Sequence, residues 1–364
     1  MNRWCRHALA AAGLFTVLAG SALAEEVALR NEKVELRFPG EGEVLLRNLI
    51  HRPRELDQLR TVDAEGSFLP FGEEAQAEEG FRVAIAPEGE EGERYLRWKV
   101  VAEKEGEVVL ADEEGRVEAR FTLMPQSAAV DVAFTFAKEL PRPATARLVW
   151  MLQVAGDFLG VPTEGPADYQ IVPVADDGAT QIHTIAVHRE TAARYALAQP
   201  WWGVADRASD FLLACQFETG PVVLEQWSGL LQTTEAFRQT AVIPLPASGG
   251  KEVVRLRLFL FNRLTGLSGL SRNAGCWIME DDRAPEKKTL VIAPALPLPR
   301  GTLRLLAGEK ECLRVDVNGW EPGKIYAHEL PSSLPKGKQP LKVELKTPDF
   351  EETIPLWTNL PPKL

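Results

Sequence analysis

The residue types best suited to chemistry are indoles and one carboxylate at strand spacing. Glu225-Gln226-Trp227 follows the apolar run Val222-Val223-Leu224. On a strand, residues two apart share a face, so Glu225 and Trp227 are expected side by side. An indole packs its flat apolar face on a sugar's CH face, and a carboxylate beside it accepts hydroxyl protons. Desolvated, that carboxyl would also serve as a proton donor; the plainer alternative is a solvated strand face or a salt bridge. Trp201 and Trp202 follow Pro200. Neighbours on a strand point to opposite faces, so one indole is expected in the core and the other in a cleft, with burial of both as the alternative.

Histidine offers proton transfer near neutral pH. His183 and His188 stand five apart, on opposite strand faces, where they cannot share a metal. His183 is the candidate general acid, paired with Glu225, against the alternative of a hydrogen-bonded surface histidine. Asp206-Arg207 and Asn262-Arg263 both fall at expected strand ends. The planar guanidinium fork suits a uronate carboxylate; a loop ion pair with Asp210 is the alternative. Asp176-Asp177-Gly178 lacks the spaced oxygens of a calcium loop and reads as a turn. There is no Walker loop, GxSxG elbow, HExxH or CxxC, so no cofactor or metal is expected. The candidate catalytic residues are thus His183 and Glu225, and the candidate ligand contacts are Trp201, Trp202, Trp227, Asp206, Arg207 and Arg263.

The elements that must position these residues read as strands. Alternation with period two recurs at 33–38, 95–100, 116–123, 130–136, 254–260, 313–317 and 341–345, and this pattern turns one strand face to a core. Turn pairs such as Asn318-Gly319 punctuate the runs. Only 47–60 and 190–198 read as short helices. Strands without long helices predict an all-β protein built from sandwiches.

The 364 residues carry a net charge of −11 and a pI near 5.2, a balance opposite to that of nucleic-acid-binding proteins. Residues 1–24 combine Arg3 and Arg6, an apolar stretch and Ala22-Leu23-Ala24, as in a secretory signal peptide cleaved after Ala24. The apolar stretch is shorter than the roughly 20 residues of a spanning helix, so stable membrane insertion after its removal is not expected. Its loss would take the charge from −11 to −13. Cys215, Cys276 and Cys312 then remain. Buried thiols and a single bridge with one free thiol both fit this count.

The opening strands carry a family pattern. Asn31, Val34, Leu36 and Phe38 spell N-x-x-V-x-L-x-F, a Gly-rich turn follows at 39–42, and Arg54-Glu55-Leu56 closes the segment. Trp202 to Asp206 then precedes the apolar run Phe211 to Phe217. Residues 25–280 resemble the galactose mutarotase-like β-supersandwich, a fold that also occurs in polysaccharide lyases and non-catalytic exported proteins. The epimerases of that family use a histidine acid and a glutamate base, and no histidine here matches their motif. The charged run 280–288 reads as a boundary. Residues 289–364, with Val315-Asp316-Val317-Asn318-Gly319, resemble the accessory sandwiches of carbohydrate-active proteins.

The sequence therefore predicts a large two-sheet supersandwich over 25–280, followed by a smaller Ig-like or jelly-roll β-sandwich over 289–364. The expected protein is periplasmic or secreted and associated with carbohydrate, as a binder or a processor of an envelope glycan; the sequence leaves catalysis and oligomeric state open. The alternative is a non-catalytic envelope or assembly module that holds a protein partner.

Overall fold

A computed structural model describes residues 26–59, 80–87, 94–137, 140, 143–152, 168–176, 179–186, 191–206, 210–218, 222–231, 234–245, 252–281, 284–331 and 340–357. The signal-like segment 1–24, His188 and Arg207 lie outside these residues. Every strand pairing among the described residues is antiparallel, so the predicted all-β class holds.

Two sheets face one another across the main core. The long sheet has ten strands. Its middle runs Asp168–Asp176, Trp201–Asp206, Phe211–Phe217, Glu252–Asn262, Ala129–Phe136 and Val117–Thr122, with Ala179–Ala186 outside the first of these. The short sheet has six strands, in the order Thr191–Ala196, Val223–Leu231, Thr234–Leu245, Ala144–Leu152, Phe81–Pro87 and Arg94–Tyr95. Alternate residues of each point inward: Val130, Val132, Phe134 and Phe136 from the long sheet meet Leu148, Trp150, Leu224 and Phe237 from the short one. Phe81 stacks on Trp150 with ring centroids 4.7 Å apart. Phe81 follows Gly80, whose φ of +64° and contact with the Leu46 carbonyl leave no room for a Cβ. A small N-terminal sheet, from Val27–Arg30 to Leu56–Asp57, adds Leu36 and Phe38 to the same core.

The other face of the long sheet is also covered at its middle strands. Trp201, Leu212, Phe259 and Phe261 pack there against Leu264, Leu267, Leu270, Val291 and Ala293. These partners belong to or adjoin a four-stranded sheet that contains Ala274–Asp281 and Ala284–Pro294. That sheet and the last one, from Leu298–Ala307 to Glu351–Leu356, enclose a third core around Leu303, Val317, Val343 and Ile354. Arg257 stitches the junction. It is buried, bonds Asp131 through two nitrogens at 2.6 and 2.5 Å, and donates to the Arg272 carbonyl at 2.6 Å.

The described residues of the run 280–288 lie inside this second sandwich. Asp281 pairs with Ala284 and Glu280 with Lys288, so the change of sheets falls between Asn262 and Gly269. The helices read at 47–60 and 190–198 are corrected as well. Among the described residues the first holds the strands Asn48–His51 and Leu56–Asp57 with the 3₁₀ turn Arg52–Arg54 between them, and the second holds the strand Thr191–Ala196. Pairing with Val223–Leu231 outweighs a weak local preference for helix there. Cys215, Cys276 and Cys312 are all free thiols, the first two buried.

His51 gives the fold a pH-dependent term. It is 1% exposed, and neither ring nitrogen has a hydrogen-bond partner. Burial first, and then the positive charges of Arg54 and Lys33, push its pKa from 6.5 down to about 4. The unfolded chain takes up this proton near pH 6.5, so the stability present above that pH is lost as pH falls through about 4. The expected loss is about 3 kcal/mol at most. Urea titrations between pH 7.5 and 4 check it: His51→Leu should flatten this part of the profile, and parallel profiles for the two proteins would refute the assignment.

Candidate functional site

The strands of the short sheet sort their side chains cleanly. Leu224, Gln226, Phe237, Gln239, Leu148 and Trp150 are buried on the inner side. Arg147, Arg194, Glu225, Trp227, Arg238 and Thr240 occupy the outer side, where they line a concavity of about 450 Å³. Register builds this cluster. Arg194 stands opposite Glu225, which stands opposite Thr240; Ala192 stands opposite Trp227, which stands opposite Arg238.

Glu225 is clamped. Arg147 Nη2 donates to its Oε2 at 2.6 Å, and Arg194 Nε lies 3.6 Å from its Oε1. The Glu225 and Arg147 side chains are 29% and 19% exposed, whereas that of Arg194 is 68% exposed. Pairs this shielded from solvent are strengthened by the lower local dielectric. The Arg238 guanidinium lies 5.8 Å from the centre of the half-buried Trp227 ring, within cation–π range. On the same face Arg82 is 1% exposed, and its guanidinium sits 4.2 Å from the centre of the Tyr95 ring.

Other expected contacts lie elsewhere. Trp201 and Trp202 are 2% and 0% exposed, so neither can offer a ring face to a sugar. They do point to opposite faces of the long sheet, but both faces are covered. The His183–Glu225 proton-transfer pair is also corrected. His183 stands opposite Val172, a residue of the main core, whereas Glu225 points out of the far side of the short sheet. The short sheet separates them. Asp206 and Arg263 sit at strand ends of the long sheet, away from Glu225 and Trp227. Arg263 is exposed with φ +60°, and its backbone N–H donates to the Asp210 carbonyl. Among the described residues, no three His, Cys, Asp or Glu side chains converge as metal ligands.

Sequence reasoning missed Arg147, Arg194, Arg238 and Thr240. For Arg147 a signal was present, because Thr145 and Arg147 alternate with Ala146 and Leu148, but the run 191–196 around Arg194 does not alternate. Only the register shows that these strands are neighbours.

A second polar group lies inside the sandwich. Gln226, Gln239 and Trp150 form a row across three adjacent strands, and Gln170 reaches in from the long sheet to donate to Gln239 Oε1 at 2.9 Å. Gln170 and Gln239 are 0% exposed and Gln226 is 3% exposed. Gln170 Oε1, Gln239 Nε2, both amide atoms of Gln226, and the indole N–H groups of Trp150 and Trp202 are buried without hydrogen-bond partners. Trp150 and Trp202 meet edge to face at 5.4 Å.

The chain is similar in fold to solved structures of a galactose mutarotase related enzyme from Lactobacillus acidophilus (10% identity over 66% of this chain and 98% of that one, TM-score 0.43). It is also similar to a galactose mutarotase-like protein from Lactobacillus casei (11% identity, 65% of this chain and 100% of that one, TM-score 0.43). A polysaccharide lyase is matched over 91% of this chain and 47% of its own, at 12% identity and TM-score 0.38. No family model matches the chain, and no curated protein does.

The interior amides yield a stability prediction. Gln239→Met removes the acceptor of the buried Gln170 amide and should cost about 1–3 kcal/mol. Replacing Gln170, Gln226 and Gln239 together by Met removes the orphaned groups too, and should recover most of that loss. Urea unfolding of the single and triple variants decides it, and a triple variant weaker than the single would contradict the assignment.

Proposed function

We propose that the protein is an exported, carbohydrate-associated protein that binds a saccharide on the outer face of its short sheet. The observation that carries this reading is the half-buried Trp227 beside the fixed Arg147–Glu225 pair in one concavity of about 450 Å³. That volume lies within the roughly 300–1,000 Å³ of small-molecule sites. The indole supplies an apolar plate for the CH face of a pyranose ring. Thr240, Glu225 and the guanidiniums supply hydroxyl partners of both senses around it.

Binding suits this site better than proton-transfer catalysis. Both Glu225 oxygens face guanidiniums, and among the described residues no histidine lines the concavity. A general acid and base must each reach the reacting atoms, and the described lining supplies one such group, Glu225. In this reading residues 1–24 direct export to the periplasm or medium. The mature chain consists of the two-sheet sandwich and the smaller C-terminal one.

Two measurements test the proposal. Amino-terminal sequencing of exported protein should begin at Glu25. On a glycan array, Trp227→Ala should weaken saccharide binding by about tenfold or more, the loss of one well-stacked contact. Trp201→Phe, a change inside the core, should leave binding unaltered. Absence of binding to any saccharide, or equal binding by the Trp227 variant, would reject the site.

A further inference from the structure

The last sheet has two edges, and the described residues cover one of them. Its strands run in the order Lys310–Trp320, Leu298–Ala307, Leu341–Lys346 and Glu351–Leu356. Beside Glu351–Leu356, the Trp357 N–H donates to the Ser268 carbonyl at 2.9 Å, and Gly269 lies so close to the Pro355 carbonyl that a Cβ would not fit. At the other edge, Lys310–Trp320 pairs only with Leu298–Ala307 among the described residues. Its far side therefore presents a row of N–H and C=O groups without a strand partner.

Edge strands are usually blunted by proline, by lysine or by bulges. Here such devices stand at the ends. The strand is 11 residues long, holds no proline, and its one lysine is its first residue. A register shift opposite Leu305 and Leu306 falls at Cys312, and Gly319 has φ +65°. Between these points Leu313 to Val317 pair without interruption with Leu305 to Gly301.

Both sides of this regular stretch are incomplete. On the core side, Leu303 and Leu305 are 0% exposed, whereas Val315 and Leu313, opposite them, are only half-buried. On the solvent side, Arg314 and Asp316 are both exposed. Glu311 accepts hydrogen bonds from Nε and Nη2 of Arg314 at 3.1 and 3.2 Å, which leaves Nη1 outside that pair. Asp316 has no ion pair among the described residues.

We infer that this edge takes a second copy of the chain, the two Lys310–Trp320 strands pairing antiparallel about a two-fold axis at Val315. Such an interface is self-complementary, so every unlike contact occurs twice. The axis sets Val315 against its own copy, Leu313 against Val317, and Arg314 against Asp316. The half-buried apolar residues gain cover, and the lone carboxylate gains a guanidinium. Neighbouring registers fail on charge. An axis at Arg314 or at Asp316 sets that residue against itself, and like charges directly opposite destabilise a strand pair. An axis at Leu313 or at Val317 gives neither charge its complement. An axis between residues would set core-facing side chains against solvent-facing ones.

The contact is one strand wide, which places the dimer among weak, concentration-dependent assemblies. Sedimentation velocity of the full mature chain tests it, with reductant present to exclude a Cys312 disulfide. A monomer–dimer equilibrium should appear between about 1 and 200 μM. Asp316→Arg sets guanidinium against guanidinium twice and should weaken association by about tenfold or more. Arg314→Asp should do the same with carboxylates. The double variant, Arg314→Asp with Asp316→Arg, exchanges the charges and should restore association to within about threefold of the parent. Both side chains are exposed, and unchanged thermal unfolding would show that each variant folds.

A monomer throughout that range overturns the inference. A dimer that both single variants leave unchanged also overturns it, because the contact would then lie on another face. Weakening by the single variants without rescue in the double one rejects the register, and the inference with it.

Discussion

Burial of the middle strands of the long sheet on both faces is the constraint that organises this molecule. A sheet covered on one side alternates polar and apolar residues; one covered on both sides must be apolar throughout. Phe211 to Cys215 and Leu258 to Phe261 are buried without a break, which is the second pattern. One phase of these strands feeds the main core, and the other packs against the C-terminal sheets. The few polar groups caught between are fully engaged. Arg257 bonds Asp131 and the Arg272 carbonyl, and Ser127 Oγ bonds the carbonyls of Ala129 and Ala295. Removing one partner from such a buried pair would strand a charge, so these contacts fix how the two sandwiches meet.

The outer face of the short sheet carries the Arg147–Glu225 cluster. Its strands mix the two patterns: Ala144 to Leu148 alternate, whereas Leu148 to Leu152 and Phe81 to Ile85 are buried without a break. In Ala144–Leu152, Arg147 points outward while Ala146 and Leu148 point in. Four adjacent strands in register turn such isolated polar positions into a two-dimensional array. The interior amides are the exception on the inner side. Their carbonyls and N–H groups have lost water, and only one mutual hydrogen bond replaces it. Gln239 accepts that bond, so its replacement leaves the Gln170 amide unpaired as well.

The legibility of the sequence follows the same physics. Period two identified strands such as Val117–Thr122 and Ala129–Phe136, because their inward residues are purely apolar. It also placed Glu225 and Trp227 on one face, a local property of a single strand. It could not say whether Trp201 or Trp202 was exposed, because that depends on what covers each face, and the cover comes from residues 264–295. His183 and Glu225 failed as a pair for a related reason. Each lies on a recognisable strand, but the strands belong to different sheets. The charged run at 280–288 resembled a linker by composition alone. Cross-strand charge pairs produce the same composition, and Lys288 bonds Glu280 at 2.5 Å.

The environment of Glu225 shows how one residue type reads differently with and without its neighbours. Alone beside an indole, a carboxyl would be desolvated and suited to proton donation. Here each of its oxygens faces a guanidinium instead: Arg147 donates to one, and Arg194 lies 3.6 Å from the other.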